Sequence, residues 1–195
     1  MPSQSNLKDL EATRNSQRRE LLELLRRRSV LHGDFQLAGG TRSSVYLDAR
    51  RTTLSSDGMP LVGSLGLQFI DTLGWRPELV GGPTAGANPI AIAMMMTAVQ
   101  KGRPLGAFIV LKDANPETGS CIEGPYRSGA RVVVVEDTVT SGKSLLKAIE
   151  TLVTADAVVL GVLALIDREQ GGMEAITRAG YNFASIFTLS ELLAT

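Results

Sequence analysis

The stretch "VVVVEDTVTSGKS", residues 132–144, sets two acids, Glu136 and Asp137, at the end of a valine run and follows them with Thr138, Thr140, Ser141, Gly142, Lys143 and Ser144. Hydroxyls and a glycine at the start of a helix suit an anion, because the first turn leaves unpaired N–H groups and a partial positive charge. An ordinary helix cap uses the same residue types. The acids argue for more than a cap: they would repel a phosphate, and need a partner that donates hydrogen bonds or carries positive charge. Sugar hydroxyls or a magnesium ion meet that need, and a sugar phosphate presents hydroxyls and phosphate a few ångströms apart. Gly142, Lys143 and Ser144 also spell the end of the nucleotide-binding loop Gly-x-x-x-x-Gly-Lys-Ser/Thr, but its first glycine would fall at Asp137. A triphosphate loop is thereby disfavoured.

The elements that must position these residues follow from periodicity. Strand-like runs "PELVGG", "LGAFIVLK", "ARVVVVED" and "VVLGVLALID" alternate with helical runs "PLVGSLGLQFIDTL", "PTAGANPIAIAMMMTAV" and "KSLLKAIETLVTA", ending on a last helix near "GGMEAITRAG". Such alternation predicts an α/β fold with a parallel sheet and helices on its faces. In such a sheet ligands sit beyond the carboxyl ends of the strands, where strand order reverses. The turns "GGPTAG", "EDTVTSG" and "DREQGG" all follow strands, so three separated segments are expected to converge on one pocket. Before them, Leu21, Leu22 and Leu25 mark an amphipathic helix, and "DFQLAGGTRSSVYLDARR" reads as a hairpin around a Gly-Gly turn. Residues 1–6 are expected to be loose, and Asp113 to Ser128 to form a long loop.

With 195 residues the chain suits one domain over 1–195. Twenty basic against twenty acidic residues leave no global field to draw it onto nucleic acid or an anionic membrane. Arg26, Arg27 and Arg28 read as solvated helical charge rather than a nucleic-acid patch. One cysteine, Cys121, cannot close an internal disulfide, no basic-then-apolar leader is visible, and no apolar run approaches the ~20 residues of a membrane span. A soluble, cytoplasmic protein is the expectation.

The run from Val132 to Ser144 resembles the phosphoribosyl pyrophosphate (PRPP) signature of the type I phosphoribosyltransferases. Further segments are similar to the orotate phosphoribosyltransferases within that family: "DFQLAGGTRSSVYLDARR" to their amino-terminal hood, "GGPTAGANPIA" to their pyrophosphate loop and "LIDREQGGMEAITRAG" to their Asp-Arg-Glu-x-Gly-Gly segment. The resemblance implies a type I phosphoribosyltransferase fold with a small N-terminal hood, about 7–55, on a core of about 56–195. It implies that Glu136 and Asp137 face the ribose hydroxyls and that Thr138, Val139, Thr140, Ser141, Gly142, Lys143 and Ser144 bind the 5′-phosphate. Thr84, Ala85 and Gly86 fall in the pyrophosphate loop, Arg168 and Thr140 at the orotate, and Lys112 with Asp137 at the catalytic positions. Magnesium, PRPP, orotate and a homodimer come with the same resemblance, and none of these is read from spacing.

The resemblance is incomplete between the two central strands. Where the family carries an Arg-Lys pair, a second lysine and a His-Gly, this chain reads "FIVLKDANPETGSCIEGP": Lys112 and Ile122-Glu123-Gly124 match, Leu111 replaces the arginine, and neither the second lysine nor the histidine is present. Its one histidine, His32, lies in the hood segment and reads as a surface or capping residue. Beside orotate transfer, two alternatives therefore stand: transfer to another base, and a PRPP- or nucleotide-sensing protein with a degenerate loop.

Overall fold

The computed structural model describes residues 4–36 and 42–194, so the Gly-Gly turn of the expected hairpin lies outside the described residues. Helix α1, Gln4–Arg28, contains neither glycine nor proline and buries Leu21, Leu24 and Leu25. It starts at Gln4, inside the segment expected to be loose. Two arginines of its last turn are engaged within the chain, Arg28 with Asp57 and Arg26 with the Glu191 carbonyl, the latter at 2.8 Å. Strands β1, Val30–Gln36, and β2, Arg42–Leu47, then pair antiparallel, with His32 exposed opposite Val45. The short α2, Arg50–Thr53, leads into α3, Gly58–Thr72.

The larger sheet is built from β3, Leu79–Pro83; β4, Gly106–Val110; β5, Ile122–Glu123; β6, Arg131–Val139; β7, Val158–Asp167; and β8, Phe183–Thr188. Its helices are α4, Ala87–Gln100; α5, Lys143–Thr154; α6, Gly172–Arg178; and α7, Leu189–Leu193. The strand order is β5-β4-β3-β6-β7-β8, parallel throughout except for the antiparallel β5. The chain winds outward from β3 to β4 and then returns to place β6 on the other side of β3. Strand order thus reverses between β3 and β6, the crevice where a parallel sheet holds its ligands.

Pleating explains why β6 reads as an unbroken apolar run. Val133 and Val135 point into a core with α1, α3 and α4, while Val132 and Val134 point into a second core with α5 and α6. Both faces are covered, so both alternating sets must be apolar.

Three expectations need correction. The segment 113–128 is not one irregular loop: Leu111 N–H donates to the Cys121 carbonyl at 2.8 Å, Asn115 N–H to the Ser120 carbonyl at 2.9 Å, and β5 pairs with β4. Asn115 organises the turn, its Oδ1 accepting from Glu117 N–H at 2.9 Å and its Nδ2 donating to Glu123 at 2.8 Å. The helix near 172–178 is not the last element, since β8 and α7 follow it. The turn after the acids is also shorter than "TVTSG", because β6 continues through Val139. Among the described residues no helix is long and apolar enough to cross a membrane.

Candidate active site

At the reversal between β3 and β6 lies a polar pocket of ≈ 270 Å³, lined by Tyr46, Asp48, Arg50, Thr84, Gly86, Glu136, Asp137 and Thr138 among others. The acids come from the carboxyl end of β6, Thr84 and Gly86 from the turn after β3, and the first three residues from the end of β2, the turn that follows it and the start of α2. Gly86 is required by close approach: a Cβ there would lie 2.3 Å from the Asp137 carboxylate.

Glu136 is buried, and burial pushes its carboxyl up to about 8, with the neighbouring Asp137 charge adding to the rise. Burial likewise raises Asp137 above the ordinary carboxylate range, against the pull of hydrogen bonds to the Thr138 backbone and to Glu136. Two carboxylates cannot both ionise cheaply in such a place. Arg50 partly offsets the Asp137 charge and is itself bonded to Asp48 at 3.0 Å. The acceptor capacity that the pair retains beyond these bonds, held in a pocket of sugar size, suits donors such as vicinal hydroxyls.

Beyond the acids, Gly142 takes the left-handed conformation, φ 73°, and turns the chain into α5. Thr140, Ser141 and Ser144 are exposed, and their hydroxyls have no hydrogen-bond partner among the described residues. Val139 differs from its neighbours: its side chain is buried and its carbonyl accepts from Arg168 N–H at 2.9 Å, so it supports the turn from below. Lys143 is exposed at the start of α5.

Lys112 does not line the acid pocket. It lines a second cleft, ≈ 290 Å³, with Thr84, Leu111, Ser144, Lys147 and Thr151. Thr84 borders both cavities, and Ala85 beside it is exposed. The segment "DREQGG" packs under the hydroxyl turn, Gly172 lying so close that a Cβ there would sit 2.5 Å from the Thr140 carbonyl. Arg168 is outside the lining of either cavity. It makes no ion pair with Asp167 or Glu169, and its buried Nε has no partner among the described residues. All three turns after strands thus gather at one end of the sheet, with Arg168 and Lys112 flanking the acids on separate sides.

Residues 62–179 match the phosphoribosyl transferase domain. The chain belongs to the type I phosphoribosyltransferase family. This phosphoribosyltransferase is 37% identical over 192 residues to the orotate phosphoribosyltransferase of a Nostoc species, covering 97% of this chain and 92% of that protein. It is 41% identical over 174 residues to that of Mycobacterium avium, covering 89% and 94%. Its fold matches the crystal structure of the Mycobacterium tuberculosis orotate phosphoribosyltransferase in complex with PRPP, with TM-score 0.78 and 38% identity over 90% of this chain and 98% of that one.

Sequence reasoning alone did not single out Tyr46, Asp48, Arg50 or Lys147 as site residues. The first three stand in "VYLDARR", where only the fold brings the end of β2 over the acids. Lys147 had a faint signal, lying one helical turn after Lys143 and Ser144 and so on the same face of α5.

Proposed function

We propose that this phosphoribosyltransferase joins orotate to the 5-phosphoribosyl group of PRPP, giving orotidine 5′-phosphate and pyrophosphate. The observation that carries the reading is the acid pair at the end of β6 beside a turn whose hydroxyls, and an Arg168 whose buried Nε, have no partner among the described residues. Glu136 and Asp137 accept from the ribose hydroxyls, the main chain and hydroxyls of 140–144 hold the 5′-phosphate, and Thr84 to Gly86 face the pyrophosphate. Arg168 meets the anionic base, since a planar fork pairs with carboxylate or carbonyl oxygens in two parallel bonds.

The ring nitrogen of orotate releases its proton to solvent and forms the new bond to C1 of the ribose, while the pyrophosphate oxygen keeps the electron pair of the bond that breaks. No covalent enzyme intermediate is needed; the protein orients both substrates and faces developing charge with fixed groups. Among the described residues no three histidine, cysteine or acidic side chains cluster as a metal cage. Glu136, Asp137 and Asp48 bring hard oxygen donors to the same pocket, and one or two of them would suffice to hold a magnesium ion delivered with the substrate. Bound there with PRPP, magnesium supplies charge neutralisation for the departing pyrophosphate. A cytoplasmic homodimer completes the proposal; the partly buried free Cys121 suits a reducing compartment.

With PRPP and magnesium, orotate is expected to give orotidine 5′-phosphate, while uracil, adenine and hypoxanthine give no nucleotide, read by chromatography of the products. Turnover with a purine instead would move the assignment to another base. Tight PRPP binding without product from any base would favour a sensing protein, a reading that the poor cation content of 111–121 keeps open.

That segment yields a second expectation. Leu111 borders the cleft of Lys112, and one donor at a departing anion is commonly worth about 10²–10³ in rate. Leu111→Arg should raise kcat by about tenfold with little change in PRPP affinity; an unchanged kcat would place catalysis elsewhere. Adding lysine at Asn115, the position of the missing second lysine, should give back part of the gain, because Asn115 holds the turn together.

A further inference from the structure

We propose that Glu169 is a positioning residue for the base site: by gripping the start of α7 it fixes the direction in which Arg168 is presented. The proposal rests on the reading that Arg168 meets orotate.

Arg168 and Glu169 open the turn between β7 and α6. Glu169 has φ 58°, a left-handed conformation that a glutamate adopts only when its surroundings hold it there. Three hydrogen bonds do so. Its N–H donates to Oδ1 of the buried Asp167 at 2.9 Å; its Oε2 accepts from Ser190 N–H at 2.8 Å; its Oε1 accepts from the Ser190 hydroxyl at 3.0 Å. On the other side, Arg168 N–H donates to the Val139 carbonyl at 2.9 Å. The main chain is therefore pinned on both flanks of Arg168, while among the described residues the buried Nε of its side chain has no partner. A side chain fixed at its root and left with a buried, unsatisfied Nε is arranged to meet something that arrives.

The anchor is itself anchored. Thr188 and Glu191 form a reciprocal cap on α7, Glu191 pairs with Arg18 of α1 at 2.6 Å, and Arg26 donates to the Glu191 carbonyl. Thr188 also lies opposite Asp167 in the sheet. The Glu169 carboxylate therefore ties the turn to an element held by α1 and β8. Because both its oxygens are taken by Ser190, it is also kept off the Arg168 guanidinium, which stays available.

Steady-state kinetics on the full chain, with orotate and PRPP varied separately, test this. Glu169→Ala should raise the orotate KM about tenfold and leave the PRPP KM within about twofold. Glu169→Gly, which takes a positive φ without strain, should do the same, because the carboxylate and not the backbone shape supplies the hold. Glu169→Gln, keeping one acceptor for Ser190, should fall between. Arg168→Ala combined with Glu169→Ala should be no worse than Arg168→Ala alone, since Glu169 acts through Arg168. An orotate KM unchanged in Glu169→Ala but raised in Arg168→Ala would overturn the proposal while leaving the base-site reading intact. So would effects that multiply in the double variant. If Arg168→Ala spares the orotate KM, the base-site reading falls first. If Glu169→Ala does not fold and Glu169→Gln has the parent's orotate KM, the residue is structural and the proposal is overturned.

Discussion

Glu136→Gln is expected to bind PRPP about ten- to a hundredfold more weakly than the parent chain, and to melt at a higher temperature. The loss, read above pH 8 where this carboxyl is ionised, follows from removing a charged acceptor of substrate hydroxyls, a bond worth about 1.5–3 kcal/mol. The gain follows from the burial that raises this carboxyl to about 8. Between its ordinary value of 4.5 and that raised value, the folded chain holds a proton the unfolded chain has released, so folding stability falls as pH rises through this window. Each pH unit is worth at most about 1.4 kcal/mol. Glutamine carries no such penalty, and its melting-temperature advantage should be small near pH 4.5, widen to pH 8 and then level off. Calorimetry at both ends of the window checks the stability half, and titration with PRPP and magnesium the binding half. A gap independent of pH, or equal PRPP affinity, would contradict the account.

Arg168→Ala should raise the orotate KM by about a hundredfold and change the PRPP KM little, since it removes a charge-assisted pair of bonds to one substrate alone. Arg168→Lys should recover only part of the loss, because an ammonium cannot reproduce the planar fork. If the two KM values move together, Arg168 supports the turn and not the base. The structural basis for expecting separation is that Arg168 pairs with neither neighbouring acid.

Much of this site could be read in the residues themselves. The valine run and its two acids announced a central strand whose end opens on a pocket, because a strand buried on both faces must be apolar until it reaches the sheet edge. The hydroxyl turn before "KSLLKAIE" was legible because helix starts have a fixed chemistry. Less legible was what depends on long-range packing. The end of β2 shares a pocket with Asp137 only through long-range packing that no local pattern encodes. Lys112 lies next to Thr84 but in a different cleft from the acids, a division that depends on where β4 ends relative to β6. Strand β5 escaped notice because two residues are too few to show alternation, and α7 because its cap is local but its purpose lies 21 residues upstream at Glu169.

The hairpin of residues 111–123 also bears on how the molecule avoids its own kind. β4 is the outermost of the parallel strands on its side, and Ile122 and Glu123 occupy the main-chain groups of Val110 and Ile109 that would otherwise face outward. An uncovered row of such groups is a template for strand addition by another chain. The segment that presents Lys112 therefore doubles as a guard rail against aggregation. Grafting a longer, freer and more cationic loop into this position has to preserve the Ile122-Glu123 pairing, or the rate gained at the site would be lost as insoluble protein.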